Sequence, residues 1–169
     1  GLGGALFMVL FMFVKVPSPV PETNLQIAYG ISSFFAMLFG PIAGGLIAFI
    51  GHALSDFLSY GSPWWSWVFA SGTAGAISGI AYLTAKKDIE QGEFDLVQFL
   101  IWNIVANAVA WIIVAPVLDI VIYAEPVSLV FTQGGIAFVM NAICSCVVGG
   151  LLCSIYAKTK TKEGSLTKK

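Results

Sequence analysis

Long apolar runs, separated by short polar stretches, leave this chain very few folds to adopt. From Leu25 to Ala85 the only formally charged side chain is Asp56. A helix of about 20 apolar residues crosses the hydrocarbon core of a bilayer, and a helix satisfies its own backbone hydrogen bonds there. The alternating pattern of membrane barrel strands is absent from these runs. The sequence therefore predicts an all-α integral membrane protein.

Six apolar segments are separated by polar residues, and we expect each to form one transmembrane helix. Only 10% of the 169 residues are charged, whereas soluble domains contain about a quarter. Because proline cannot continue a preceding helix, Pro41 should separate the second and third segments, and Pro116 should kink or end the fifth. The expected segments are Gly1–Val14, Leu25–Phe39, Pro41–Leu58, Trp64–Ala85, Leu96–Ile122 and Val127–Ala157.

Lysine placement predicts the orientation of these helices. With six spans, Lys86, Lys87 and five lysines of the C-terminal tail fall on the side of the N-terminus, against Lys15 alone on the other side. Loops rich in lysine stay in the cytoplasm, so we expect both termini to be cytoplasmic. We expect one six-helix transmembrane domain over residues 1–157 and a basic cytoplasmic tail over residues 158–169.

The composition also argues against several kinds of partner and cofactor. No basic patch with interleaved aromatic residues is present for binding nucleic acid, and no Walker A loop is present for binding ATP. The three cysteines crowd one apolar segment without a neighbouring histidine or carboxylate, so we expect neither a disulfide framework nor a zinc site. The first segment lacks the flanks of a signal peptide, and because it opens in apolar sequence without Met we expect native residues to precede it.

One histidine and one aspartate stand a helical turn apart in the outer half of the third segment. Ionisable groups inside membrane segments are costly and tend to mark substrate paths, so we interpret His52 and Asp56 as lining a polar cup. A purely structural pair remains an alternative. A membrane-embedded enzyme that acts on a lipid-like substrate through His52 and Asp56 is another. No second histidine or cysteine lies at that depth to complete a metal site.

The outer loops add aromatic and proline residues. Trp64 and Trp67 are three residues apart and can share a helix face, where a ring either stacks on a flat ligand or belongs to an aromatic belt at the membrane interface. Alternating prolines in loop 15–24 favour a stiff, extended segment. This segment is either a lid over an outer pocket, with Asn24 at its end, or a rigid connector.

Uncharged amides and two further carboxylates complete the candidate set. Asn107 and Trp111 are four residues apart on one face of the fifth segment, and Gln133 and Asn141 are eight apart on one face of the sixth. Amides in such positions either hold helices together by hydrogen bonds or face a ligand as donors and acceptors. The candidate ligand-binding residues are Asn24, His52, Asp56, Tyr60, Trp64, Trp67, Asn107, Trp111, Asp119, Glu125, Gln133 and Asn141.

Three long strings resemble a known family of membrane proteins. They are "FGPIAGGLIAFIGHALSDFLSYGSPWWSWVFASG", "APVLDIVIYAEPVSLVFTQG" and "YAKTKTKEGSLTKK". They resemble the substrate-binding S components of energy-coupling factor (ECF) transporters, in the riboflavin-type subgroup that includes proteins assigned to hydroxymethylpyrimidine or pyridoxine. The resemblance implies a six-helix protein of the bacterial plasma membrane that captures a vitamin or its precursor from outside. It also implies a transmembrane coupling protein and two cytoplasmic ATPases as partners, which would bind the ATP.

The resemblance extends to a docking motif and to the class of ligand. Family members carry an Ala-x-x-x-Ala motif on the first helix for docking to the coupling protein, and the matching positions here are Gly1 and Ala5. The chain contains no arginine to pair with phosphate. The candidate residues therefore favour a small, flat, polar ring such as hydroxymethylpyrimidine or pyridoxine, with riboflavin as the next alternative.

Overall fold

The protein is built from six helical rods, as the apolar segments predict, within the residues that the computed structural model describes, 1–17, 19 and 24–160. Residues 18 and 20–23 of the proline-rich loop and residues 161–169 of the predicted basic tail lie outside the described residues. The helices are α1 Leu2–Phe13, α2 Ala28–Phe39, α3 Pro41–Tyr60, α4 Trp65–Ser78 continued by α5 Ile80–Thr84, α6 Leu96–Ala108 continued through π-helical turns Val109–Val114 into α7 Ala115–Tyr123, and α8 Val127–Lys158.

Three of the rods are long and apolar enough to cross a membrane: α3, the continuous helix Leu96–Tyr123 and α8. The first two apolar helices, α1 and α2, have 12 residues each and are shorter than the roughly 20 residues that a perpendicular crossing needs.

A short β-ribbon interrupts the otherwise helical fold, and the sequence did not predict it. Strand β1, Lys15–Pro17, pairs antiparallel with β2, Asn24–Gln26, so that Lys15 lies opposite Gln26. Two-stranded ribbons are marginal on their own. This one is supported because β1 adjoins α1 and β2 packs against α8.

The predicted break between the second and third helices is confirmed at Gly40 and Pro41. Gly40 has φ +91°, a backbone conformation that only glycine adopts readily, and Pro41 opens α3, where its missing N–H costs nothing. The break between α4 and α5 at Gly79 lies against the same turn. A side-chain carbon at Gly79 would lie 2.5 Å from backbone atoms of Gly40 and Pro41.

Pro116 does not end the fifth rod, because the helix continues to Tyr123. The π-helical turns Val109–Val114 come immediately before this part of the helix. Proline has no backbone N–H to donate to the carbonyl oxygen four residues earlier, and a π-helical turn lets the helix continue past such a gap in its hydrogen bonds. The neighbouring helix α8 adapts to the wider turn. Gly134 has no side chain, and the carbonyl oxygen of Trp111 occupies the space where one would be.

The end of the bundle that contains the start of α1 is closed by the connection between α5 and α6. Asp95 caps α6, since its carboxylate accepts hydrogen bonds from the backbone N–H groups of Lys86 (2.8 Å) and Gln98 (3.2 Å). These bonds, led by that from Lys86, hold the pKa of Asp95 below its ordinary value. Glu90 binds Lys160 at 3.1 Å after the end of α8. The start of α1, the connection and the end of α8 thus share one end, and the side of the membrane that it faces stays a prediction.

A cavity at one end of the helix bundle as the candidate ligand-binding site

A cavity of about 500 Å³ opens at the other end of the bundle, between the ends of α1, α3 and α7 and the starts of α2, α4 and α8. Pockets for small molecules usually have volumes of about 300–1,000 Å³, so this cavity is large enough for a vitamin-sized ligand. Ten of the twelve predicted residues line it: Asn24, His52, Asp56, Tyr60, Trp64, Trp67, Asp119, Glu125, Gln133 and Asn141.

Asp119 of α7 organises one wall of the cavity. Its carboxylate is only 2% exposed and accepts hydrogen bonds from the indole nitrogens of Trp64 (2.8 Å) and Trp67 (2.9 Å). The hydroxyl of Ser66 donates a third bond to it. Three donors satisfy a buried carboxylate that would otherwise be costly in an apolar surrounding. Asp119 therefore fixes the orientation of the two rings, and most of its own bonding capacity is already used.

The two tryptophans that the sequence suggested for ligand stacking face the cavity from fixed positions. Trp64 stacks on Tyr123 with ring centroids 4.3 Å apart, and Trp67 lies 5.4 Å from Trp111. Trp65 points elsewhere and contacts Phe49 and Phe69 on the outside of the bundle. Trp65 is therefore the ring whose position matches an interfacial belt, whereas Trp64 and Trp67 are available to a flat ligand.

His52 and Asp56 belong to a hydrogen-bonded chain that runs from the cavity into the bundle. His52 Nδ1 lies 2.6 Å from the hydroxyl of Ser71, which lies 2.8 Å from the hydroxyl of Tyr29. His52 Nε2 lies 3.5 Å from Asp56, and the other oxygen of Asp56 accepts the backbone N–H of Trp64 at 3.0 Å.

The carboxylate of Asp56 favours one tautomer of the histidine. A hydrogen on His52 Nε2 avoids placing a lone pair against that carboxylate, 3.5 Å away. His52 Nδ1 then accepts a hydrogen bond from the hydroxyl of Ser71, and Ser71 in turn accepts one from the hydroxyl of Tyr29. The network thus presents an N–H group and a carboxylate to the cavity from one face of α3.

Asn107 and Trp111 do not line the cavity, in contrast to their sequence-based interpretation as ligand contacts. Trp111 is fully buried, and its indole nitrogen donates to Asn107 at 2.9 Å. The side-chain nitrogen of Asn107 lies 2.8 Å from the carbonyl of Asn103 and 3.3 Å from the hydroxyl of Ser145. These residues hold helices together beneath the cavity, because Trp67 and Tyr29 pack over Trp111 and separate it from the opening.

Two buried polar atoms of the lining residues have no hydrogen-bond partner in the described structure. They are the side-chain oxygens of Gln26 in β2 and Asn141 in α8. Both residues line the cavity, but these two oxygens are themselves buried against protein and do not face it.

Several lining residues escaped the sequence analysis. Ser55 and Ser59 are three and seven residues beyond His52, a helical spacing that could have placed them on its face. Lys15 and Gln26 carry no local signal, because the short ribbon that brings them together is not readable from three-residue strands. The lining residues not predicted are Phe11, Met12, Lys15, Gln26, Tyr29, Ser55, Ser59, Ser62, Leu129 and Ala137.

The charges at the cavity are mostly negative. Asp56, Asp119 and Glu125 line it together with one lysine, Lys15, and the sequence contains no arginine. Across ranges 1–17, 19 and 24–160, no group of three or more histidine, cysteine or acidic side chains is arranged to hold a metal ion. The cavity is thus suited to an organic molecule with hydrogen-bond donors more than to an anion.

The fold and the cavity together define a helical membrane protein with a vitamin-sized cavity, lined by polar and aromatic side chains, at one end of its bundle. Comparison with known proteins gives the family: a profile described as "ECF-type riboflavin transporter, S component" matches residues 1–158. The chain belongs to this family. It is a substrate-binding S component of the vitamin type, so the resemblance is confirmed and the chain is grouped with transport subunits, not with enzymes.

Curated relatives match over nearly the whole chain. A "UPF0397 protein" of Clostridium perfringens is 50% identical and one of Enterococcus faecalis is 48% identical; each alignment covers 99% of this chain and 91% or 92% of the relative. Among solved structures, FolT bound with folic acid superposes with a TM-score of 0.59 at 17% identity, over 90% of this chain and 93% of that chain. At this identity the superposition shows the shared fold alone.

Proposed function

We propose that this S component binds a small, flat, nitrogen-containing vitamin precursor in the cavity and delivers it inward. A ring of the hydroxymethylpyrimidine or pyridoxine kind is the best candidate, and riboflavin, which the family name carries, is the next. The observation that supports this most is a vitamin-sized cavity lined by the rings of Trp64 and Trp67 and by buried hydrogen-bonding groups.

The charges favour a neutral or protonated ring over a phosphorylated one. Arginine forks commonly bind phosphate, and the only lysine or arginine among the described lining residues is Lys15. Asp56 and Glu125 would repel a phosphate group and would favour an amine or a ring nitrogen that carries a proton. The rings of Trp64 and Trp67 offer flat surfaces on which such a ligand would stack.

Delivery across the membrane would require other subunits. In this proposal the cavity faces the outside of a bacterial cell, both termini lie in the cytoplasm, and a transmembrane coupling protein joins the S component to two ATPases that bind ATP. The proposed docking residues Gly1 and Ala5 are both exposed on α1, at the end opposite the cavity. Small exposed residues let another helix approach closely.

Ligand binding is tested with the purified full chain in detergent. Native mass spectrometry would identify any molecule that co-purifies, and calorimetry would measure binding of hydroxymethylpyrimidine, pyridoxine, riboflavin and their phosphorylated forms without ATP. We expect tight, one-to-one binding of one unphosphorylated compound and at least tenfold weaker binding of its phosphate ester. Absence of binding across the whole panel would contradict the proposal.

Docking is tested by enlarging the exposed small residue of α1. Ala5→Trp should prevent co-purification with the coupling protein and should leave ligand affinity unchanged, because Ala5 does not line the cavity. Val97→Trp on α6 is the matched control, since Val97 is also exposed, at 64%, but belongs to a different helix. Equal assembly of the two variants would contradict the assignment of Ala5 to the docking surface.

A further inference from the structure

His52 and Asp56 of α3 meet the cavity with a donor and an acceptor that they do not spend on each other. His52 Nε2 lies 3.5 Å from Asp56 Oδ1, beyond the roughly 2.7–3.2 Å of a well-formed N–H···O hydrogen bond. The two side chains retain 5% and 7% of their surface, and both residues line the cavity. The accessible edge of this pair therefore belongs to the cavity.

The other polar atom of each side chain is held by the protein. His52 Nδ1 lies 2.6 Å from the hydroxyl of Ser71, and the ring of Phe11 packs on the imidazole with centroids 4.3 Å apart. Asp56 Oδ2 accepts the backbone N–H of Trp64 at 3.0 Å. These contacts fix both side chains and leave Nε2 and Oδ1 as a donor and an acceptor on one face of α3.

Asp119, the other deeply buried acid of the cavity, is already satisfied. It is 2% exposed and accepts hydrogen bonds from the side chains of Trp64, Ser66 and Trp67. Asp56, in contrast, accepts its hydrogen bond from one backbone N–H. A buried carboxylate with few donors is costly, and a donor supplied by a ligand would offset that cost. Asp56 is thus the buried acid with capacity left for a ligand.

Trp64 keeps the pair in a fixed relation to the aromatic wall. Its backbone N–H binds Asp56, and its indole N–H binds Asp119. One residue therefore positions both the polar edge and a ring before a ligand arrives. Such preorganisation lowers the free-energy cost of binding.

We infer that His52 and Asp56 determine ligand specificity as one donor–acceptor pair. His52 Nε2–H donates to an acceptor atom of the ligand, and Asp56 Oδ1 accepts from an N–H or O–H group beside that atom. The ligand class is a nitrogen heterocycle with an acceptor and a donor on adjacent atoms, for which an amino group next to a ring nitrogen is the best example. This inference rests on the proposed function, since it names the groups that would recognise the transported compound.

The test uses parent compounds and analogues that each lack one group. The pyrimidine probes are 4-amino-5-hydroxymethyl-2-methylpyrimidine, its analogue without the 4-amino group, and its analogue with C–H in place of the adjacent ring nitrogen. Pyridoxine is paired with 3-deoxypyridoxine, and riboflavin with N3-methylriboflavin. Calorimetry on the purified full chain would measure the affinity ratio of each parent to its analogue. In the wild type, the bound parent should exceed its donor-deleted analogue roughly tenfold or more, because loss of the donor leaves Asp56 unpaired.

Asp56→Asn tests the acceptor without changing the size of the side chain. The backbone N–H of Trp64 needs an oxygen, so the amide oxygen should take the place of Oδ2 and the NH₂ group that of Oδ1. The acceptor at the cavity then becomes a donor, and the ratio of parent to donor-deleted analogue should fall close to one. A merely structural role for Asp56 would weaken parent and analogue equally and leave the ratio unchanged.

His52→Leu tests the donor of the pair. It should abolish the preference for the pyrimidine over the analogue that lacks the adjacent ring nitrogen. His52→Gln can place an NH₂ group near the position of Nε2 and should restore part of that preference. The wild-type ratios and these two variants decide the inference even where Asp56→Asn fails to fold.

Two other acids provide controls. Asp95→Asn is the same substitution at the opposite end of the bundle, where Asp95 caps α6, and should preserve both affinity and ratio. Glu125→Gln alters another carboxylate that lines the cavity, and it should affect parent and analogue alike.

The possible failures are distinguishable. The inference alone is overturned if the wild type binds a parent without discriminating against its analogue. The same holds if Asp56→Asn keeps the wild-type ratio, or if Glu125→Gln removes it. If the wild type binds none of the three parents, the inference and the proposed function are both overturned.

Discussion

The indole nitrogen of Trp64 lies 2.8 Å from one carboxylate oxygen of Asp119, and Trp64 immediately precedes α4 while Asp119 belongs to α7. Because Trp67 donates to the other oxygen of Asp119, one side chain ties the start of α4 to the end of the fifth rod. The geometry of the aromatic wall thus depends on a single buried acid.

Replacement of this acid by its amide should loosen the wall. In Asp119→Asn one acceptor oxygen becomes an NH₂ group, which would face an indole N–H or the Ser66 hydroxyl. Hydrogen bonds to charged groups contribute about 1.5–3 kcal/mol, and we expect a loss of free energy of unfolding of that size. Denaturant titration in mixed micelles would measure it, and tryptophan fluorescence should change in the folded state. Glu125→Gln is the control and should leave both nearly unchanged.

Ser71 should be important for stability because it bridges two buried groups. Ser71→Ala would leave the Tyr29 hydroxyl and His52 Nδ1 without their shared partner, at a cost of about 1–3 kcal/mol in free energy of unfolding. Ser154→Ala removes a hydroxyl that only bonds its own helix, to the Gly150 carbonyl at 2.8 Å, and should cost much less. Equal destabilisation of the two variants would argue against a stabilising role for the hydrogen bonds that Ser71 makes with Tyr29 and His52.

Two adjacent glycines of α8 should respond in opposite ways to the same substitution. A side chain at Gly134 would collide with the Trp111 carbonyl and the Pro116 ring, and such overpacking typically costs about 1–3 kcal/mol. No atom lies within 4 Å of a side-chain carbon at Gly135, so Gly135→Ala should stabilise the helix by up to about 1 kcal/mol. Thermal unfolding of the two alanine variants measures the contrast, and a stable Gly134→Ala protein would contradict the close approach.

The cap on α6 should make stability depend on pH. Hydrogen bonds hold the pKa of Asp95 below its ordinary value, so its contribution is fully present above that value, about 3.9, and is lost as pH falls through the lowered pKa. Asp95→Asn keeps one acceptor oxygen where the carboxylate uses two. At neutral pH it should be less stable than the wild type by about 0.5–2 kcal/mol.

Unfolding measured across acidic pH distinguishes this effect from a general loss of packing. The difference between wild type and Asp95→Asn should shrink as Asp95 becomes protonated. A difference that is constant from neutral to strongly acidic pH would show that the negative charge of Asp95 does not contribute.

Much of the helical fold could be predicted because apolar length and proline placement act locally. Pro41 marks a helix start in the sequence and in the structure, and the lysine-rich connection after Thr84 marks a boundary equally well. The break at Gly79 was not predictable, because a glycine inside an apolar run is as compatible with close helix packing as with an interruption. The ribbon of β1 and β2 was missed because its support comes from distant helices.

The candidate site shows the same division between local and tertiary information. Spacing placed His52 and Asp56 on one face, and Gln133 and Asn141 on another, and all four line the cavity. Spacing also placed Asn107 and Trp111 on one helix face, but spacing along a helix does not show how deep the cavity extends. That depth is decided by the rings of Trp67 and Tyr29, which come from other helices.

The contact of Gly79 with the turn at Gly40 and Pro41 has a mechanical consequence. It pins four helices together, backbone against backbone, at the end remote from the cavity. Any widening that admits or releases a solute would therefore be concentrated at the opposite ends of α3 and α4, which border the cavity.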